Sequence, residues 1–181
     1  MNSRNLLTTA AAVGGLAFLT TMVVIGALPE QRQLVKFEAR GVMKLQPEII
    51  SRVELHRAPR KTVLLRAAGS RWIAEGGGAL SAELSAKLSL AVQFMNTASP
   101  IRIIEADELQ GTNTRDFGLD PPRLSVVLYQ GMQSVIGARF GAHNPEDTAQ
   151  YMILDGHRDV ILMSRFVGQE WEAVANAVFA K

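Results

Sequence analysis

Between Leu6 and Leu28 the chain runs for 23 residues without a charge, LLTTAAAVGGLAFLTTMVVIGAL. A transmembrane helix needs about 20 apolar residues to cross roughly 30 Å of hydrocarbon, so this stretch is long enough to span a bilayer once. A cleaved signal peptide carries a shorter apolar region, about 7–15 residues, ahead of small residues. Ile25 and Ala27 make a poor cleavage site, and the expectation is an uncleaved anchor over residues 1–28 that meets the lipid bilayer through residues 6–28. Gly14 and Gly15, with Ala10 to Ala12, give it a small-residue face of the kind on which a second helix can pack. Arg4 precedes the stretch and Arg32, Lys36, Arg40 and Lys44 follow it, so flanking charge alone does not orient it. Long domains translocate regardless of nearby charge, and the expected globular part therefore faces outward, into a periplasm-like space.

The 153 residues after Leu28 suffice for one core, since a chain of about 150 residues buries roughly 70% of its unfolded surface. The absence of cysteine excludes disulfide scaffolds, thiol nucleophiles and Cys-based zinc sites. Residues 29–48, with Pro29, Gly41 and Pro47, read as a stalk that holds a short strand near Val35 to Glu38. Residues 49–181 read as the folded domain. Ile50 to His56 alternates around Val53 and Leu55, Lys61 to Ala67 is rich in β-formers, and Ala58, Pro59 and Arg60 turn the chain between them. After Gly69 and Ser70, Arg71 to Glu75 adds a third antiparallel strand anchored by Trp72. Ser81 caps a helix that should run to Thr97, with Leu84, Leu88, Ala91, Val92 and Met95 inward and Glu83, Lys87, Gln93 and Asn96 outward. Pro100 ends it, and Ile101 to Glu105 forms a short strand.

Four further strands are expected at Arg123 to Gln130, Val135 to Phe140, Gln150 to Asp155 and Asp159 to Met163, with turn-type segments between them. A last helix follows from Arg165 to Ala180, its face marked by Val167, Trp171, Val174, Ala175 and Val178. Strands grouped in runs with few helices argue for an α+β fold: an N-terminal transmembrane helix, then two antiparallel β-meanders with two packed helices.

The succession of Val53-Glu54-Leu55, Leu64-Leu65-Arg66, the Trp72 strand, a helix, Phe117-Gly118-Leu119-Asp120-Pro121, a hairpin, Gly141 and Tyr151 resembles an uncharacterised bacterial domain family of membrane-anchored envelope proteins. Some members of that family are associated with gliding-type ABC transporters. The resemblance covers Ile50 to the end of the chain. It implies an extracytoplasmic α+β domain at the bacterial inner membrane and carries no catalytic residues with it.

In Arg115 to Pro122, RDFGLDPP, Asp120 precedes a proline and should be extended. Phe117 and Leu119 can anchor the loop, and Gly118 can take a positive φ. The loop reads first as a rigid connector, and Phe117, Gly118, Leu119, Asp120 and Pro121 are the candidate partner-binding residues, because rigid exposed loops favour recognition. His143 with Glu146 and His157 with Asp155 could form a zinc or iron site if their two loops meet. No His-Glu-x-x-His spacing supports this, and the primary reading holds neither metal nor cofactor. The Gly76-Gly77-Gly78 run lacks a following Lys-Ser or Lys-Thr, so it reads as a turn and not as a phosphate cradle. No Gly-x-Ser-x-Gly elbow is present, and the carboxylate pairs Asp107 with Glu108 and Glu146 with Asp147 sit in polar turns.

Charge is unevenly spread. Residues 29–71 hold ten Lys or Arg against four Glu, whereas residues 72–181 hold eight against thirteen acidic residues. The basic half adjoins the anchor, where each cation can gain about 1 kcal/mol from anionic headgroups. Arg52, Arg57, Arg60, Lys61 and Arg66 are the candidate membrane-surface residues. Nucleic acid is not expected, since only Phe37 interleaves these cations. The composite expectation is a non-enzymatic, single-pass accessory or assembly subunit of an integral membrane complex, plausible for a transporter. The other reading is an extracytoplasmic module for a metal or small molecule, although a small-molecule ligand is not the primary expectation.

Overall fold

The computed structural model describes residues 13–21, 40–109 and 111–180. The chain divides into two compact units, Met1–Glu38 and Ala39–Lys181. In the first, residues 13–21 are helical (α1) and exposed. Among the described residues no helix is long and apolar enough to cross a membrane. The remainder of the 6–28 stretch, the strand expected near Val35 to Glu38 and most of the stalk lie outside the described residues.

The second unit is α+β, with one antiparallel sheet of eight strands in the order β3-β2-β1-β5-β6-β7-β8-β4. The strands are β1 (Arg52–Arg57), β2 (Arg60–Arg66), β3 (Trp72–Ala74), β4 (Arg102–Ile104), β5 (Leu124–Gln130), β6 (Gln133–His143), β7 (Ala149–Leu154) and β8 (Val160–Ser164). The two separate meanders expected from the sequence are therefore one sheet. Strand β1 pairs with β5 as well as with β2, with Val53 opposite Leu128 and Leu55 opposite Val126. The pairing has a plain cause: Val53 and Leu55 are apolar on the same face as Leu124, Val126 and Leu128, and joining the strands covers both rows with one helix layer. The strand after the first long helix also departs from simple order, since β4 crosses to pair with β8 at the far edge.

Helices α2 (Ala82–Thr97) and α3 (Arg165–Phe179) cover one face. Ser81 caps α2 as expected, its hydroxyl accepting from Leu84 N–H at 3.2 Å. Trp72 is fully buried against α2, its indole donating to Ser89 Oγ at 3.0 Å. The helix layer supplies Leu88, Ala91, Val92, Met95, Val167, Trp171, Val174 and Ala175 to one continuous core with Val53, Leu55, Leu64, Phe140, Met152 and Met163. At about 1.5–3 kcal/mol for each large apolar side chain withdrawn from water, this core is the main source of stability.

Two assignments from periodicity need correction here. Asn96, expected on the solvent side of α2, is 3% exposed, and its Nδ2 donates to Met43 O and Leu45 O, each at 3.0 Å. The residues it holds belong to the segment expected as a stalk, and they fall in the same compact unit as the sheet. Gly41 N–H donates to Asn96 O and Met43 N–H to Met95 O, both at 2.8 Å, and Met43 is buried. A helix C-terminus leaves carbonyls without partners, and the 41–43 segment satisfies two of those at the end of α2.

The opposite face of the sheet carries a second, smaller cluster of Leu119, Ile153 and Val160, with Ile104, Leu109, Phe117 and Tyr151 packed on it. The connection between β4 and β5 folds over this end and covers it.

Candidate functional site

The loop expected to bind a partner, Arg115 to Pro122, is built into the second cluster. Asn113 caps a short 3-10 turn, Thr114–Phe117, with Arg115 N–H donating to its side chain and Asp116 reaching back to the Asn113 N–H. Gly118 closes that turn at φ 64°, as its sequence position suggested. Leu119 is fully buried, and Phe117 meets the Tyr151 ring edge-on at 4.8 Å between centroids. Gly141 makes the close approach possible, because a methyl there would sit 3.0 Å from Leu119 Cγ and closer still to the Phe117 carbonyl. The connector reading of RDFGLDPP describes these residues, and only Asp120 and Pro121 of the five remain exposed. The Asp120–Pro121 bond is cis, and Asp120 pairs with Arg115 at 3.5 Å.

The basic residues do not form one face, because successive strand residues alternate sides. Arg57, Arg60 and Arg66 lie on the helix side. Arg60 donates to the Phe179 carbonyl at the end of α3, Arg57 donates to Asn176 Oδ1 at 2.6 Å, and both guanidinium groups lie over the Phe179 ring. Cations are favourable at a helix C-terminus, so these two arginines terminate α3. Arg66 stacks over Trp72, 4.8 Å from the ring centroid, and donates to Pro47 O at 3.1 Å. Burial lowers its guanidinium pKa. Arg52 and Lys61 lie on the other face, where both pair with Glu54, Lys61 at 2.9 Å. Glu54 is 9% exposed. The hydrogen bond from Lys61 and the charges of Lys61 and Arg52 outweigh burial and hold its carboxyl below the ordinary range. The five candidate membrane-surface cations therefore lie on two faces of the sheet, three on the helix side and two beside Glu54.

The histidine set is not brought together either. Among the described residues no group of three His, Cys, Asp or Glu could hold a metal. The reason is topological: β6 extends to His143, which pairs with Gln150 at one end of β7, while Asp155 and His157 follow the other end. Six residues at about 3.4 Å each separate the two by roughly 20 Å. His143 Nδ1 instead meets Asp147 Oδ1 at 2.9 Å, Asp155 meets Arg139 at 3.3 Å, and Glu146 accepts from Asn144 at 2.9 Å.

The concave feature the periodicity did not reveal lies at the β8–β4 edge, on the helix side of the sheet. A groove of about 300 Å³ runs between the 40–44 segment and β4. Its walls are apolar, from Val42, Pro100, Ile103, Leu154 and Ile161, and its rim carries Arg40, Lys44, His157 and Asp159. Ile103 is 51% exposed and Ile101 59%. The sequence did carry one signal. In Ile101-Arg102-Ile103-Ile104 apolar side chains point to both faces of a strand, and only Ile104 finds cover, in the Leu119 cluster. Asp159 Oδ1 accepts from Ala106 N–H at 3.1 Å, and Lys44 Nζ donates to Gly41 O at 3.0 Å. Ligand sites are typically apolar clefts of roughly 300–1,000 Å³ with a few polar groups, and this groove stands at the small end of that range. Comparison with protein-family models, with curated proteins and with solved structures found no match to this chain.

Proposed function

We propose that the chain is a single-pass, membrane-anchored accessory subunit of an integral membrane complex in the bacterial inner membrane. Its α+β domain faces the periplasm and acts without chemistry of its own. The observation that carries this reading is the exposed apolar surface of Ile101 and Ile103 at the β8–β4 edge in a chain whose 6–28 stretch is long enough to span. Exposed apolar residues gathered at one place mark interaction surfaces. Anchoring two partners in one bilayer raises their effective concentration, which lets a modest surface bind productively. The resemblance to envelope proteins associated with transporters points to a transporter as the complex. The test is a mild-detergent pull-down of the tagged full chain, repeated with residues 1–28 replaced by a cleavable signal. Stoichiometric recovery of an integral membrane protein, lost on replacement of the anchor, is expected; a lone, detergent-independent protein refutes the reading.

The β8–β4 groove favours a second reading, an extracytoplasmic small-molecule binder. Its rim contains His157 but not the other three members of the expected histidine–carboxylate set, so the reading stands for an organic ligand and not for a metal.

A further inference from the structure

We propose that Met132, at the tip of the β5–β6 hairpin, is a reversible oxidation site at which the domain takes up one oxygen atom from a peroxide or hypohalous acid without losing its fold. The inference is independent of the anchor and of the β8–β4 groove. It starts from what an oxidant can reach. The chain has no cysteine, and both tryptophans, Trp72 and Trp171, are fully buried. Among the described methionines, Met43, Met95, Met152 and Met163 are 1% exposed or less, whereas Met132 is 86% exposed. Susceptibility to oxidation follows exposure, and the sulfur and indole groups of the described residues are withdrawn into the core at every position but this one.

The hairpin holds Met132 outward. Gln130 pairs with Gln133, Gly131 turns the chain at φ 58°, and the Gly131 N–H donates to Ser51 Oγ at 2.8 Å. A methyl added at Gly131 would meet no described atom within 4 Å, so the tip stands clear of the described fold. None of the bonds that shape the tip uses the thioether, and adding oxygen to the sulfur breaks none of them. In the step itself the sulfur lone pair attacks one peroxide oxygen. The S–O bond forms as the O–O bond breaks, and the second oxygen leaves as water with both protons of hydrogen peroxide. Sulfur loses two electrons and the peroxide gains them. A thiol-dependent methionine sulfoxide reductase reverses the change, releasing the sulfoxide oxygen as water while two thiols join as a disulfide. At the four core methionines the same product would bury a polar S–O group in apolar surroundings. It would form there only when the domain opens, a state that roughly one chain in 10³–10⁶ occupies.

The experiment exposes the full chain in detergent micelles to hydrogen peroxide, follows each methionine-containing peptide by mass spectrometry and melts the product. The Met132 sulfoxide is expected to form at least tenfold faster than those of Met43, Met95, Met152 and Met163, and the reductase to return the Met132 peptide to its starting mass. Met132→Leu, at an exposed position, keeps the fold and serves as the reference for methionines outside the described residues. Treated parent and treated variant should melt within about 2 °C of each other. The proposal is overturned by a core methionine that oxidises within tenfold of the Met132 rate, or by a treated parent that melts more than about 2 °C below the treated variant. A Met132 sulfoxide that the reductase leaves intact in the folded chain while reducing it in the isolated peptide also overturns it.

Discussion

Gly168 lies inside α3 directly above Gln150, and replacing it with alanine should reverse sign according to what stands at position 150. A methyl at Gly168 would lie 2.8 Å from Gln150 Cδ and closer still to its Oε1. Gln150 cannot easily withdraw. It is 1% exposed, and its Nε2 donates to Gly141 O at 3.0 Å and to Glu172 Oε1 at 3.4 Å. Displacing it breaks a buried hydrogen bond, at about 1–3 kcal/mol, and crowds the core, at about 1–3 kcal/mol. Against this, alanine gains about 1 kcal/mol over glycine in a helix interior. The net expectation for Gly168→Ala is a loss of about 1–5 kcal/mol, or a fall of roughly 2–20 °C in Tm for a domain of this size. In a Gln150→Ala background the obstruction is gone, and the same change should stabilise by about 1 kcal/mol. Thermal and urea unfolding of the four chains, followed by circular dichroism, gives the coupling directly. Equal effects in both backgrounds, or a stabilising Gly168→Ala in the parent chain, would refute the assignment of Gly168 to this contact.

Glu54→Gln should cost about 1–2 kcal/mol near neutral pH through its lost charged hydrogen bonds. Because the folded carboxyl titrates below its unfolded value, its contribution is present above the ordinary glutamate range near pH 4.3 and fades as pH falls below it; urea midpoints from pH 7 to pH 3 should therefore converge for the two chains. Gly41→Ala places a methyl 2.6 Å from Asn96 O, which should detach the 40–45 segment and raise protease cleavage there severalfold, with limited proteolysis as the readout. Joint replacement of Arg57 and Arg60 by alanine should remove the α3 terminus contacts and lower Tm by about 3–8 °C, at roughly 1 kcal/mol per arginine, while leaving binding to phosphatidylglycerol vesicles unchanged. A parallel loss of vesicle binding would assign these two arginines to the membrane surface instead.

Much of this fold is legible in local patterns. Ser81 and the Leu88, Ala91, Val92, Met95 row specify α2 because capping and a 3.6-residue period are short-range properties. Gly118 announces its own left-handed turn. What failed depends on distant residues. Gly141 reads as the start of a turn, yet β6 runs through it to His143, since it admits the Phe117 loop. Asn96 reads as a surface amide until the 41–45 backbone arrives to bond it. The five candidate cations could not be sorted by composition, because membership of either sheet face depends on register, and Arg57 and Arg60 acquire their role only from a helix that ends more than a hundred residues later. The groove needs three separate segments to meet, and no one of them announces it.

The β1–β5 pairing also sets an order of events during synthesis. Ser51 N–H bonds to Tyr129 O, 78 residues further on, and at about 5–20 residues per second the ribosome needs roughly 4–16 s to supply that partner. Throughout that interval β1 presents an unpaired edge bearing Val53 and Leu55, and β4 likewise emerges well before β8. Nascent chains halted near residue 120 should accordingly recruit holding chaperones, and release should coincide with emergence of the β5–β6 hairpin from the exit tunnel.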